Sequence, residues 1–134
     1  MTQSDAVVIS ELSANPSVVL VIEDEPDLRK VVCLVLEDEG FVVEAASDGL
    51  QGLEMAARLQ PAVIVLDMGL PRLSGEEVAA ELRTMFTEPP AIVVMSAAGT
   101  VAERAQRIGA VGYVAKPFDL DDLAAAVHRA IRSV

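Results

Sequence analysis

The chain predicts a doubly wound α/β fold, a five-stranded parallel sheet with five helices on its two faces. Three observations carry this expectation. Five short β-rich runs alternate with helical patterns; the middle run, Ala62-Val63-Ile64-Val65-Leu66, is apolar throughout, as suits a strand covered on both sides; and a helix start signal follows each run. With 134 residues, 52% of them hydrophobic, the chain suits one domain with a sizeable core.

In order, the predicted strands are Val18 to Ile22, Phe41 to Ala45, Ala62 to Leu66, Ala91 to Met95 and Val111 to Ala115. The first helix has Pro26 at a first-turn position, which its fixed φ favours. The other four open on capping pairs: Asp48 with Gln51, Ser74 with Glu77, Thr100 with Glu103, and Asp119 with Asp122. Gly40 and Gly109 stop the first and fourth helices. Residues 1–16 stand outside this scheme as a flexible N-terminal extension bounded by Asn15-Pro16, leaving residues 17–134 as the domain.

Composition narrows the function classes. A formal net charge of −11 opposes nonspecific binding to nucleic acid or to an anionic membrane. No apolar stretch approaches the roughly 20 residues of a membrane span, and the start, Met1-Thr2-Gln3-Ser4-Asp5, has no basic region leading into an apolar core. The single cysteine, Cys33, reads as a reduced core residue, and the expected compartment is the cytoplasm.

In an open α/β sheet, ligands bind beyond the carboxyl ends of the strands. Strand 1 exits into Glu23-Asp24-Glu25, strand 3 into Asp67, strand 4 into Ser96-Ala97-Ala98 and strand 5 into Lys116-Pro117-Phe118. Asp67 by its position alone is equally compatible with a turn or N-cap role, and Ser96 with a turn former. Taken together, three carboxylates at one edge would repel one another by several kcal/mol at contact distance, roughly 4 kcal/mol per pair at 4 Å and an effective dielectric of 20, so a cation belongs among them. Mg²⁺ suits an all-oxygen site; zinc does not, since His128 is the only histidine.

These residues resemble the receiver domains of bacterial two-component response regulators. The resemblance covers roughly Ser17 to Val134 and rests on Val21-Ile22-Glu23-Asp24-Glu25-Pro26, Leu66-Asp67-Met68-Gly69-Leu70-Pro71 with Gly75, Val94-Met95-Ser96-Ala97, Gly109-Ala110, and Gly112-Tyr113-Val114-Ala115-Lys116-Pro117-Phe118, in that order. It implies a flavodoxin-like sheet of order 2-1-3-4-5. It also implies that Asp67 accepts a phosphoryl group from a sensor histidine kinase or phosphotransfer protein. Asp24, Asp67 and the Gly69 carbonyl would hold Mg²⁺, with Glu23, in place of the family's more usual Asp, acting through coordinated water. Lys116 would pair with Asp67 and then with the phosphoryl group, across a cis Lys116-Pro117 bond. Ser96 and the Ala97 N–H would bind phosphoryl oxygens, and Tyr113 would be the switch aromatic that turns inward as Ser96 moves. Tyr113 also has a plain packing reading.

Gly69 and Ala98 bring no side chain to shield the phosphoryl group or to orient water, effects that oppose each other on its lifetime. His128 reads as an exposed structural residue. The output face would be the fourth helix, fifth strand and fifth helix, with Glu103, Arg104, Arg107, Asp122, Arg129 and Arg132 meeting a downstream protein or a second copy of the chain. The chain is expected not to be an enzyme, catalysing only its own phosphorylation and dephosphorylation. A pseudo-receiver docking module is the alternative, opposed by the retention of Asp24, Asp67, Ser96 and Lys116. An Asp-nucleophile phosphatase of the haloacid dehalogenase type wants an Asp where Gly69 stands.

Overall fold

The computed structural model describes residues 18–133, in which β1 (Val18–Ile22), α1 (Pro26–Asp38), β2 (Val42–Ala46), α2 (Gly49–Leu59), β3 (Val63–Asp67), α3 (Gly75–Met85), β4 (Ala91–Ala97), α4 (Val101–Ile108), β5 (Gly112–Lys116) and α5 (Leu120–Arg132) follow one another. The expected extension over residues 1–16, with its Asn15-Pro16 boundary, lies outside the described residues. All neighbouring strands are parallel and the sheet order is β2-β1-β3-β4-β5, as expected. No helix among the described residues is long and apolar enough to cross a membrane.

Strand side chains alternate between two cores. Leu20, Ile22, Ile64, Leu66, Ile92 and Val94 pack with Ala56 of α2, Val78 and Leu82 of α3, and Ala105 and Ile108 of α4. Val19, Val21, Val63, Val65, Val93 and Met95 pack with Val32 and Leu36 of α1 and with Leu123 and Val127 of α5. Cys33 is half-buried against this second core, and burial pushes its thiol pKa up, with the Glu37 charge adding to it.

Three strands lie one residue later than the sequence pattern indicates. Phe41 donates its N–H to Leu36 O at the exit of α1, so it belongs to the helix end and β2 pairs from Val42. At the other end, Asp67 pairs with Met95, Ser96 with Ala115 and Ala97 with Lys116. Asp67 and Lys116 are therefore the last residues of β3 and β5, and Ser96 the next-to-last of β4, held in the ladder rather than in the loops that follow.

The helix starts divide in the same way. Ser74 and Glu77 form a complete capping box: the Glu77 N–H donates to Ser74 Oγ at 3.1 Å and the Ser74 N–H to Glu77 Oε1 at 2.9 Å. Asp48 caps Gln51 N at 2.8 Å, but Gln51 Oε1 turns to the N–H of Ser47 instead of that of Asp48. The expected caps at Thr100 and Asp119 do not form. Thr100 has φ −123° and ψ −10°, away from the extended geometry that aims a hydroxyl at the first turn, and at Asp119 the N–H groups of Asp122 and Leu123 go to the backbone carbonyl. The cap of α1 is Glu25, whose carboxylate accepts from Asp27 N and Leu28 N. Gly40 (φ +98°) and Gly109 (φ +72°) close α1 and α4 in the left-handed region, as expected.

Gly75, the first residue of α3, lies against Met68, the neighbour of Asp67. A Cβ there would sit 3.0 Å from Met68 Cα and closer still to its Sδ. Gly75→Ala is expected to destabilise the fold by about 1–3 kcal/mol, read from denaturant midpoints, because backbone cannot yield as a flexible side chain does.

Candidate functional site

The carboxyl edge of the sheet carries a cleft of about 340 Å³ lined by Glu23, Asp24 and Glu25 after β1, Asp67 and Gly69 at β3, Ser96 and Ala97 at β4, Lys116 at β5, and Arg104 of α4. Seven of the sequence-predicted site residues, Gly69 among them, thus meet in one place, although up to 93 positions separate them.

Glu23, Asp67 and Ser96 are the buried polar residues of the described fold, at 1%, 3% and 4% exposure. Burial of two carboxylates side by side is costly, and the bridging group is Lys116. Its ammonium donates to Asp67 Oδ1 at 3.0 Å and to Glu23 Oε1 at 3.2 Å. Lys116 is presented by a cis Lys116-Pro117 peptide, as the resemblance implies. Two backbone donors complete the acids: Gly69 N–H to Asp67 Oδ1 and Glu25 N–H to Glu23 Oε2, both 3.0 Å. Arg29 Nη1 donates to the Glu23 carbonyl at 3.0 Å and so fixes the loop from below.

These contacts set the titration behaviour. Burial pushes the Glu23 carboxyl above its ordinary value; the Glu25 N–H opposes this, the Asp67 charge adds to it, and Lys116 opposes it, with burial winning. For Lys116, burial acts to lower the ammonium pKa, but the hydrogen bond and charge of Asp67, then those of Glu23, raise it overall.

Carboxylate oxygens of Glu23, Asp24 and Asp67 lie within 4.8 Å of one another, and Asp24 is exposed while the other two are buried. An all-oxygen donor set, open to solvent on one side, fits a hard cation.

Arg104 is the residue that sequence reasoning placed elsewhere. It was expected on an output surface, but its guanidinium turns inward, bonding Glu76 of α3 through Nε and Nη2 (2.8 Å each), the Met68 carbonyl through Nη2 (3.0 Å) and Ser96 Oγ through Nη1 (3.3 Å). A sequence signal existed: Val101, Ala105 and Ile108 form the buried stripe of α4, and Arg104 lies one turn from both Val101 and Ile108 on its flank. The remaining expected surface residues, Glu103, Arg107, Asp122, Arg129 and Arg132, are exposed, and among the described residues none of them is in an ion pair. Tyr113 on edge strand β5 is 49% exposed. His128 is half-buried, bonded to Glu39 Oε1 at 2.7 Å and stacked obliquely on Phe41, remote from the cleft.

Comparison with known proteins identifies what the chain is similar to. The sequence profile of the response regulator receiver domain family matches residues 19–128. The transcriptional regulatory protein KdpE of Mycobacterium tuberculosis is 38% identical over 118 residues, 87% of this chain and 51% of that protein, and the response regulator MprA of Mycobacterium leprae is 38% identical over 116 residues, 85% of this chain and 50% of that protein. The chain therefore spans about half the length of these curated relatives. Among solved structures, a response regulator receiver domain protein from Clostridium thermocellum superposes with a TM-score of 0.79 at 28% identity, covering 87% of this chain and 95% of the other. NtrX from Brucella abortus superposes at 0.80 with 32% identity, covering 87% of this chain and 27% of NtrX.

The buried Glu23 sets a pH test. A carboxyl whose folded pKa is raised favours the folded state fully below its ordinary value, 4.5, and loses that contribution as pH climbs through the raised value. Metal-free Glu23→Gln, which mimics the protonated form, is expected to match the unaltered protein near pH 4 and to exceed it in melting temperature by pH 7. A gap that narrows over that range would contradict the assignment.

Proposed function

Because the chain belongs to the response regulator receiver domain family, we propose that it is a phosphoacceptor switch, in which Asp67 takes a phosphoryl group from the phosphohistidine of a sensor kinase or phosphotransfer protein. The observation that carries this reading is the convergence of Asp67, Lys116, Ser96, Glu23 and Asp24 in one cleft at the carboxyl edge of the sheet. A docking-only module has no use for two buried carboxylates held beside an ammonium.

Phosphoryl transfer needs alignment and charge neutralisation more than covalent help. Gly69 N–H and Lys116 both bond Asp67 Oδ1, which leaves Oδ2 as the oxygen without a protein partner among the described residues. In the proposed step Oδ2 attacks phosphorus, the phosphorus–nitrogen bond to the donor imidazole breaks, and its electron pair leaves with the ring nitrogen. Lys116 follows the charge from Asp67 onto a phosphoryl oxygen. Ser96, whose Oγ accepts from Arg104, keeps its hydroxyl hydrogen to donate to a second oxygen. Asp24, Asp67 and the Gly69 carbonyl would hold Mg²⁺, with Glu23 reached through water; the ion, when bound, neutralises the carboxylates and the phosphoryl oxygens. The chain would turn over no separate substrate, acting only in its own phosphorylation and dephosphorylation.

Output would follow from Tyr113. It stands exposed in this structure, and the proposal is that it turns inward as Ser96 moves toward the phosphoryl group, altering the face of α4, β5 and α5. Glu103, Arg107, Asp122, Arg129 and Arg132 remain on that face to meet a downstream protein or a second copy of the chain.

Two measurements test the reading. Incubated with Mg²⁺ and phosphoramidate, the protein is expected to gain one phosphoryl mass on Asp67, and Asp67→Asn to gain none; a stable modification mapped to Ser96 or His128 would overturn it. Mg²⁺ at a hundredfold excess over its dissociation constant is expected to stabilise the fold by about 2.7 kcal/mol. Asp24→Asn is expected to abolish that shift and to raise metal-free stability by relieving repulsion. Identical melts with and without Mg²⁺ would remove the metal from the scheme.

A further inference from the structure

Arg104 reaches the cleft from α4, and its four hydrogen bonds are unequal. The two to Glu76 form a bidentate pair at 2.8 Å, the one to the Met68 carbonyl is 3.0 Å, and the one to Ser96 Oγ is the longest at 3.3 Å. Nη1 makes only that weakest bond, and it is the arm nearest the proposed phosphoryl ligand Ser96. Among the described residues lining the cleft, Lys116 and Arg104 are the two cations. Lys116 already serves both Glu23 and Asp67.

A phosphoryl group on Asp67 would carry up to about two negative charges where the carboxylate carried one. A guanidinium presents donors in a rigid fork that matches phosphoryl oxygens, so the second cation is chemically suited to receive them. Glu76 holds the other two donors, Nε and Nη2, and its negative charge offsets that of the guanidinium: its carboxyl is held below the ordinary value by the Arg104 hydrogen bond, so it is ionised at neutral pH.

Building on the proposed phosphoacceptor function, we propose that Arg104 is a second phosphoryl-binding residue, held by Glu76 in the unphosphorylated protein, whose Nη1 moves from Ser96 Oγ to a phosphoryl oxygen when Asp67 is modified. The exchange has a structural consequence. Arg104 belongs to α4 and Glu76 to α3, so the ligand on Asp67 reaches α4 directly, independently of the Tyr113 route. It also releases Ser96 Oγ from a donor that holds it on the α4 side. Glu76 then acts as an internal competitor that sets how strongly the cleft holds a phosphoryl group.

Opposite signs for the two members of one ion pair separate this role from simple bracing of α3 against α4. The affinity for beryllofluoride, which mimics a phosphoryl group on a carboxylate, is measured by calorimetry at fixed saturating Mg²⁺ for the full chain and for Arg104→Ala, Arg104→Lys and Glu76→Gln. Thermal melts report that each variant is folded. Arg104→Ala is expected to lose at least tenfold in affinity, Arg104→Lys to recover part of that loss, and Glu76→Gln to bind as tightly as the unaltered chain or more so. A loss below tenfold in Arg104→Ala overturns the proposal, as does a loss in Glu76→Gln of the same size, which would mark the pair as a brace. Should Arg104→Ala fail to fold, Arg104→Lys with Glu76→Gln decides by the same sign rule. If the unaltered chain binds no beryllofluoride, the phosphoacceptor function itself falls, a result distinct from either outcome in the variants.

Discussion

The Lys116 ammonium between Glu23 and Asp67 is the interaction on which the functional edge of this molecule depends. Two carboxylates at 1% and 3% exposure face each other across the ends of β1 and β3, and without a cation their repulsion would press those strand ends apart or force a proton onto one of them. The sheet order makes the solution possible. With β1 and β3 adjacent at the centre and β5 two strands away, a residue at the end of β5 needs a long, flexible side chain to reach both acids, and lysine supplies it. An arginine in this place would bring a planar fork where one point charge must serve two acceptors.

Burial raises the Glu23 carboxyl pKa first and the Asp67 charge adds to it, against the opposing Glu25 N–H and Lys116. One ammonium shared by two buried carboxylates leaves a residual negative field, and Asp24 adds a third carboxylate at the cleft mouth. That residual field is unfavourable for the isolated fold and favourable for any cation that enters, so instability and affinity have one physical origin. Under the proposed function, stability would be given up where a cation is to bind, a pattern seen when local consistency breaks at a functional site.

Much of this was legible in the sequence. The five β-rich runs and the glycines at 40 and 109 specify the elements, since period and chain reversal are local properties. The cleft residues were legible because each closes an apolar run, and a polar group at the end of a buried strand has few other places to go. Boundaries were less so: Asp67, Ser96 and Lys116 belong to the strands because the ladder extends to them, and pairing register is a property of two segments at once. The caps at Thr100 and Asp119 failed for a similar reason, because backbone angles and competing carbonyls decide whether a side-chain oxygen is used.

Arg104 marks the limit of reading segments one at a time. Charged residues on a short amphipathic helix default to a solvent face, and Glu103, Arg107 and Arg104 look alike in composition. Their positions differ: Arg104 flanks the stripe of Val101, Ala105 and Ile108, while Glu103 and Arg107 point away from it. Its partner Glu76 lies 28 residues earlier on another helix, and no local pattern joins the two. What holds Arg104 inward is chiefly the carboxylate of Glu76 on α3, placed to meet the guanidinium in a bidentate pair, with the Asp67 charge a smaller contribution. The two cations thus have different partners: Lys116 holds the two buried acids directly, and Arg104, paired with Glu76, closes the cleft from α4 while tying that helix to the strand ends where charge would change.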